Sequence, residues 1–206
     1  GPVRSARPFF VVWTEGLGAM YAHVGGSPAA LNLIAGKKTF RDLNEYWNGW
    51  AFWRAARRAA PHNVFTRTEL LLQAAGKKAY VPGDFRAWYY RDAPTSTSAI
   101  SVTSTITVPY EGIYRASWKY DSKNNDYIRY RNGKPLTDAD GSTVRAKNVI
   151  LIQTDATVLD DVGRLKLRTT GTGKALIYRD GEKTAARWSR SAGENIRFVT
   201  IEGADV

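Results

Sequence analysis

The spacing of apolar residues changes once along this chain, near residue 96, and that change restricts the folds that the chain can adopt. Before residue 96, apolar residues recur every three or four positions between short apolar runs, which predicts helices that alternate with strands. After it, apolar and hydroxyl residues alternate, which predicts half-buried strands. We therefore predict an α+β fold, with an amino-terminal α/β part at residues 1–95 and a β-rich, mainly antiparallel carboxyl-terminal part at residues 96–206.

The first part begins with residues 2–5, which we expect to end a strand. This would place residues 4–7 at the carboxyl edge of that strand, where open α/β sheets bind ligands. Pro28 and Gly36 are typical of the first turn and the end of a helix. The predicted helices span residues 8–20, 28–35 and 66–75, the last of which is expected to bury three consecutive leucines, and a short strand spans residues 21–24.

The second part combines alternating apolar and polar residues with tight-turn dipeptides. Asn132-Gly133, Asp140-Gly141 and Asp180-Gly181 are typical of β-hairpin turns. Gly171-Thr172-Gly173 lacks the remainder of a phosphate-binding loop, so we interpret it as a hairpin tip. The predicted strands span residues 100–108, 113–120, 126–131, 148–154, 163–169, 174–179, 185–189 and 196–201.

The composition excludes several kinds of site. The chain has no cysteine and two histidines, which rules out disulfides, thiolate nucleophiles and multi-histidine metal centres. Asp138 and Asp140 resemble the start of a calcium loop, but Thr143 and Val149 stand where a glycine and a bidentate glutamate are required. We therefore predict no metal site and no cofactor.

The chain is strongly basic, with 30 lysines and arginines against 19 acidic residues and a formal net charge of +11. The excess occurs in both halves of the sequence. Such a charge favours polyanions as partners, namely nucleic acid, an anionic lipid surface or an anionic cell-wall polymer. A contribution to solubility alone explains the charge equally well.

Polar residues in turns rich in glycine and proline form the candidate binding site. Arginine matches the geometry of carboxylate and phosphate groups, and histidine and hydroxyl groups can add hydrogen bonds. The candidate ligand-binding residues are Arg4, Ser5, Arg7, His23, Ser27, His62 and Asn63. A second polar cluster contains Asp155, Asp160, Asp161 and Arg164, and we interpret it as an Arg–Asp pair that braces the domain interface.

Residues 44–62 are rich in aromatic and basic side chains. Aromatic residues interleaved with arginines can stack on bases or sugars. The helical spacing of Trp50, Trp53 and Arg57 favours a different role, in which these residues cover the core. The aromatic residues of the segment are Tyr46, Trp47, Trp50, Phe52 and Trp53.

Several motifs together resemble the YerB family of bacterial lipoproteins. The resemblance covers nearly the whole chain, and the first three motifs carry most of it. It implies a domain of unknown function in two parts, an α/β-type amino-terminal part and a β-rich carboxyl-terminal part, and it implies no established reaction. The motifs are GPVRSARP at residues 1–8, HVGGSP at 23–28, PHN at 61–63, DVGR at 161–164 and GTG at 171–173, with Gly181 and Trp188.

The resemblance also implies a location and a partner. Members of this family are typically secreted and anchored by a lipid on an amino-terminal cysteine, so we expect an extracytoplasmic protein of the bacterial cell envelope. This sequence has no lipobox and no cysteine, so membrane contact would come only through an anchor that it lacks. In the family, the stretch that precedes the first motif resembles one or two strands of the same domain, and an upstream fragment of the same precursor is therefore an expected partner.

Two classes of function follow, and the sequence leaves open whether the protein is an enzyme. The preferred class is an envelope binding protein that holds an anionic envelope component or a protein partner in a groove lined by Arg4, Arg7 and His23. The alternative is a hydrolase or lyase that acts on an envelope glycan, ester or phosphate with a histidine as acid or base. A DNA-binding or helicase-associated role is a further alternative, which the expected extracytoplasmic location disfavours.

Overall fold

The computed structural model describes residues 2–81, 83, 88, 92, 104–110 and 112–204. The chain divides into two compact units, each built from separate stretches of sequence. Unit 1 comprises Gly1–Ala87, Thr154–Gly171 and Arg190–Ile196, and unit 2 comprises Trp88–Gln153, Thr172–Ser189 and Arg197–Val206. The predicted boundary between residues 95 and 96 lies outside the described residues and stays a prediction.

Helices concentrate in the amino-terminal part, and antiparallel strands dominate the carboxyl-terminal part, which confirms the α+β prediction. Within the described residues the α-helices are α1 (Pro8–Gly16), α2 (Pro28–Ala35) and α3 (Thr68–Lys77). The strands are β1 (Tyr21–His23), β2 (Asp42–Asn44), β3 (Trp53–Arg54), β4 (Val64–Phe65), β5 (Thr105–Val108), β6 (Ala116–Asp121), β7 (Asp126–Arg131), β8 (Lys134–Pro135), β9 (Arg145–Ala146), β10 (Asn148–Ile152), β11 (Ala156–Val158), β12 (Leu165–Leu167), β13 (Gly171–Arg179), β14 (Glu182–Arg190) and β15 (Arg197–Thr200). None of the described helices is long and apolar enough to span a membrane.

The helix α2 has the predicted bounds because its ends are encoded locally. Pro28 occupies its first turn, and the Ser27 hydroxyl accepts a hydrogen bond from the Ala30 backbone N–H at 3.3 Å. Gly36 follows the helix with a φ of −74°, so it ends the helix without adopting the left-handed conformation. Helix α1 ends at Gly16, four residues before the predicted end, and Gly18 has a φ of +59° that is incompatible with continuing the helix.

Two expectations for unit 1 are wrong in part. Helix α3 does not bury three leucines, because consecutive positions point in different directions around a helix and Leu72 is 66% exposed. Leu70 and Leu71 are half-buried and pack on the core. Residues 2–5 form no strand, although Ala6 forms a single parallel bridge with Gly26.

The core of unit 1 lies around a short parallel pair formed by β1 and β2. Leu43 of β2 is fully buried and packs with Phe52, Val64 and Ala74. The fully buried residues Ala6, Val11 and Ala30 form a second cluster beneath α1 and α2. These clusters hold the loops that follow β1 and β2 in fixed positions.

A buried arginine joins distant parts of the chain within unit 1. The Arg190 guanidinium is 5% exposed and donates to the carbonyl oxygens of Val12 at 2.6 Å and Thr169 at 3.0 Å. Burial lowers the pKa of Arg190, and the charge of Glu15 opposes that shift. The carboxyl-terminal stretch of unit 1 therefore supports helix α1.

The described residues of unit 2 form two antiparallel sheets, as the alternation predicts. Strands β5, β6, β7 and β8 form one in that order, with β9 also paired to β7, and β10, β13, β14 and β15 form the other. Both residues of Asn132-Gly133 and of Asp180-Gly181 have positive φ, as the predicted hairpin turns require. Residues 100–103 of the first predicted strand lie outside the described residues.

The expectation of a hairpin tip at Gly171-Thr172-Gly173 is wrong. These residues begin strand β13, and a Cβ added to Gly173 would collide with the Trp188 indole and approach the Gln153 carbonyl oxygen to 2.8 Å. The Trp188 indole is 2% exposed and donates to that same oxygen at 2.9 Å. Gly173 therefore leaves space for a buried tryptophan in the sheet.

The core of unit 2 includes a tyrosine whose ionisation is coupled to folding. Tyr127 is fully buried, and its hydroxyl oxygen accepts a hydrogen bond from the Gly181 backbone N–H at 3.0 Å. Burial raises the pKa of Tyr127 from 10.0 to about 12. The neutral phenol thus contributes stability that is fully present below pH 10 and is lost as the pH rises towards 12.

We therefore expect alkaline destabilisation that depends on Tyr127. Between pH 10 and 12 the wild-type protein should lose about 2 kcal/mol of unfolding free energy through this group, because a shift of one pKa unit corresponds to about 1.4 kcal/mol. Tyr127→Phe should remove that contribution, and Tyr110→Phe at a 60% exposed position should keep it. Urea denaturation at pH 9, 10, 11 and 12 measures the difference, and parallel pH profiles for all three proteins would contradict it.

Candidate functional site

The first two sequence motifs meet in unit 1, and Val64, which follows the third motif, joins them, so we call residues 3–7, 23–27 and 62–64 the motif cluster. The backbone N–H of Val24 donates to the Arg4 carbonyl oxygen at 3.1 Å, and that of Ala6 donates to the Gly25 carbonyl oxygen at 2.9 Å. The Val3 N–H donates to the Val64 carbonyl oxygen at 2.7 Å. The first segment therefore lies between the other two, held by main-chain hydrogen bonds.

A buried histidine lies at the centre of the motif cluster. His23 ends strand β1 and is fully buried, with its ring stacked on that of Tyr21 at a centroid distance of 5.1 Å. Its Nδ1 lies 2.6 Å from the Gly25 carbonyl oxygen, and its Nε2 lies 2.5 Å from Asp42 Oδ1. Both contacts join the loop after β1 to the first residue of β2.

Both ring nitrogens of His23 have a hydrogen-bond partner. A carbonyl oxygen only accepts hydrogen bonds, so Nδ1 donates to Gly25, and Nε2 forms the second hydrogen bond with Asp42 Oδ1. His23 is therefore paired with the Asp42 carboxyl group through Nε2. Both ring nitrogens are used within the protein, and neither faces solvent.

A glycine allows the loop after β1 to approach its neighbours. Gly25 has a φ of +54°, which favours glycine, and an added Cβ would approach Tyr46 Cε2 to 3.0 Å. Its N–H donates to Asn44 Oδ1 at 3.1 Å, and the same oxygen accepts from the Tyr46 N–H at 3.2 Å. Asn44 is buried and thus fixes the loops after both parallel strands.

The arginines of the first motif differ in exposure. Arg4 is exposed, whereas Arg7 is half-buried and its Nη1 donates to Ser5 Oγ at 2.8 Å and to the Ala6 carbonyl oxygen at 2.9 Å. Burial raises the pKa of Tyr21, while a hydrogen bond with the Arg7 backbone and the Arg7 charge act in the opposite direction. Arg7 therefore lies next to the tyrosine that stacks on His23.

The remaining candidate residues of the motif cluster have structural contacts or lie at its edge. Ser27 caps helix α2, and Asn63 Oδ1 accepts a hydrogen bond from Arg54 Nη1 at 3.2 Å. His62 is exposed, and its backbone N–H donates to the Ala59 carbonyl oxygen. All seven candidate residues therefore belong to the motif cluster, in which Arg4 and His62 are exposed and Arg7 is half-buried.

The second polar cluster forms two ion pairs along one hairpin of unit 1. Asp155 Oδ2 lies 2.6 Å from Arg168 Nε at one end of the β11–β12 pair, and Asp160 Oδ2 lies 2.6 Å from Arg164 Nε at the other. Asp161 is exposed in the turn. The structure thus places Asp155 and Arg164 in different pairs.

The aromatic segment after β2 faces solvent instead of covering the core. Residues 45–51 form two short 3₁₀ helices, and of the five aromatic side chains only Phe52 is buried. Lys77 Nζ lies 3.7 Å from the centroid of the Trp50 ring. The exposed side chains are Tyr46 at 66%, Trp47 at 81%, Trp50 at 44% and Trp53 at 45%.

Sequence reasoning missed Asp42 and Asn44, the two polar partners of the loop after β1. They flank buried Leu43, and this alternation of polar and apolar residues was the only sequence pattern that could have indicated them. Their importance depends on the register of the parallel pair, in which Tyr21 lies opposite Asp42 and His23 opposite Asn44. Among the described residues, no group of three or more acidic, histidine or cysteine residues could hold a metal ion.

Comparison with known proteins agrees with the motifs. Residues 1–81 match the amino-terminal domain, and residues 106–206 the carboxyl-terminal domain, of a protein family of unknown function, DUF3048. The chain therefore belongs to the DUF3048 family and carries both of its domains. It is homologous to the Bacillus subtilis (strain 168) protein named "Putative lipoprotein YerB", with 28% identity over 98% of this chain and 61% of that protein.

The fold is also shared with a solved structure. The crystal structure of YerB from Bacillus subtilis matches with a TM-score of 0.82 and 25% identity, over all of this chain and 69% of that one. The chain spans about three fifths of the length of the curated relative it matches. The fold and the family are thus established, and neither carries a named reaction.

We expect the two histidines to differ sharply in their contribution to stability. His23→Ala should cost about 3 kcal/mol, because it leaves a cavity and removes the partner of the Asp42 carboxylate. His62→Ala should change the unfolding free energy by less than about 0.5 kcal/mol, since this residue is exposed. Urea denaturation of the two variants at pH 7 measures both values, and equal losses would contradict the assigned hydrogen bonds.

Proposed function

We propose that this chain is an extracytoplasmic binding protein of the bacterial cell envelope, which holds an anionic envelope component at the motif cluster. The observation that carries the proposal is the convergence of the three motifs, with exposed Arg4 and half-buried Arg7 on the segment between the other two. The homology to a protein named as a lipoprotein supports the envelope location.

The charge balance of the motif cluster supports an anionic ligand. Asp42, which acts on Tyr21 together with Arg7, already has a partner within the protein, because its Oδ1 is hydrogen-bonded to His23 Nε2. Within the described part of the chain, neither Arg4 nor Arg7 forms an ion pair. Their charges therefore remain available to a carboxylate or phosphate, which arginine binds with two parallel hydrogen bonds.

In this proposal His23 is a positioning residue. It lies behind the surface and fixes the Gly25 carbonyl oxygen, which also accepts the hydrogen bond from the Ala6 N–H. Ala6 stands between the candidate residues Ser5 and Arg7 in the sequence. His23 thus holds the arginine segment in place without touching the ligand.

The exposed aromatic side chains after β2 add to the binding surface that we propose at the motif cluster. Tyr46 contacts Gly25 of the motif cluster, and Trp47 beside it is 81% exposed. Exposed aromatic rings with nearby cations suit a ligand that combines flat apolar faces with negative charge, as an acidic glycan does. A protein partner, including an upstream fragment of the same precursor, is the alternative occupant.

The histidine acid/base alternative has less support. Both nitrogens of His23 are occupied inside the protein, and a general acid or base must reach the reacting group. His62 is exposed but, among the described residues, forms no side-chain hydrogen bond to a carboxylate or hydroxyl that would orient it. A binding function uses the groups that the cluster does present to solvent.

We expect a polyanion to bind through the two arginines specifically. Titration with polyglutamate and with polyphosphate at low salt should give at least tenfold weaker binding for Arg4→Gln/Arg7→Gln than for the wild-type protein. The slope of log K against log salt should fall by roughly two, one for each lost contact. Fluorescence anisotropy with a labelled polyanion measures both quantities.

A charge-matched control separates this site from net charge alone. Arg115→Gln/Lys134→Gln removes two exposed cations from unit 2 and should leave the affinity within about twofold of the wild-type value. Equal losses in the two double variants would mean that the basic charge acts without a site. Arg4→Gln alone should retain the fold, because its side chain is exposed.

A further inference from the structure

Unit 2 contains a groove that lies apart from the motif cluster in sequence and in composition. It has a volume of about 450 Å³, within the range of small-molecule sites. Strands β10, β13 and β14 contribute to it, together with the residue that follows β15. The lining residues are Leu151, Ile152, Gln153, Lys174, Ala175, Leu176, Ala185, Ala186, Arg187 and Ile201.

The groove is mainly apolar and is open because several of its residues are small. Three of the ten lining residues are alanines on neighbouring strands, at positions where strands more often carry large or β-branched side chains. Leu176 and Ile201 are 36% and 68% exposed beside them. The free energy falls when an alkyl chain displaces water from an apolar surface of this kind.

The charged side chains that line the groove are both positive. Lys174 and Arg187 both line it, and the lining contributed by the described residues contains no carboxylate. The structure describes no ion pair for either side chain, and both residues are exposed. The backbone N–H of Gln153 donates to the Lys174 carbonyl oxygen at 2.9 Å, so Gln153, the uncharged polar residue of the lining, lies beside the lysine.

We propose that this groove binds the acyl chain of a long-chain carboxylate, with the carboxylate held by Lys174 and Arg187. The apolar walls account for the alkyl chain, and the two cations account for the sign of the head group. This site is separate from the motif cluster and does not depend on the function proposed for unit 1. It assigns to unit 2 the recognition of an anionic amphiphile.

Binding can be measured with dodecanoate below its critical micelle concentration, by isothermal titration calorimetry. We expect saturable binding of one dodecanoate, together with a negative heat-capacity change from burial of the alkyl chain. Dodecyltrimethylammonium, with the same alkyl chain and the opposite charge, should bind at least tenfold more weakly, and butyrate should not bind measurably. Equal affinity for the cationic amphiphile, or for butyrate, would overturn the proposal.

Variants locate the binding in the groove. Lys174→Gln/Arg187→Gln should weaken dodecanoate binding roughly tenfold, and Ala185→Phe should abolish it by filling the groove. Lys183→Gln, on the same strand but outside the lining, should leave the affinity unchanged, as should Arg4→Gln/Arg7→Gln in unit 1. Far-ultraviolet circular dichroism confirms that each variant is folded, and unchanged binding by both groove variants would place the ligand elsewhere.

Discussion

The pairing of buried His23 with half-buried Asp42 is the interaction on which the rest of unit 1 depends. The parallel pair of β1 and β2 has three residues in each strand, which is too short to be stable by main-chain hydrogen bonds alone. The His23 ring adds a hydrogen bond across the pair, to Asp42, and a second hydrogen bond to the Gly25 carbonyl oxygen. That oxygen also accepts the Ala6 N–H, so one buried side chain sets the position of both adjoining motifs.

The elements that could be predicted from the sequence are those with local signals at both ends. Helix α2 has Ser27-Pro28 at its start and Gly36 at its end, and its bounds were predicted correctly. Strand β7 has the predicted bounds as well, since Asn132-Gly133 turns the chain immediately after it. In these cases the conformation is determined by residues that are neighbours in sequence.

Other features depend on contacts between distant residues and could not be predicted in the same way. The spacing of Trp50 and Trp53 fits a helix, yet the chain there forms 3₁₀ turns and a short strand that pairs with β4. The prediction of a hairpin tip at Gly171-Thr172-Gly173 is wrong because Gly173 leaves space for the indole of Trp188, which is fifteen residues away in the sequence. Asp42 and Asn44 were missed for the same reason, because the residues that they contact are distant in the sequence.

The buried Arg190 links the two segments of this chain that match the two family domains. Its guanidinium supports the carbonyl oxygen of Val12 in helix α1, although Arg190 lies in the region that matches the carboxyl-terminal family domain. A Cβ on Gly16 at the end of the same helix would also collide with the Glu194 carbonyl oxygen. In this chain, the segment that matches the amino-terminal family domain is therefore packed in part by residues from the segment that matches the carboxyl-terminal domain, and separating the two would leave the Val12 carbonyl oxygen without its arginine donor.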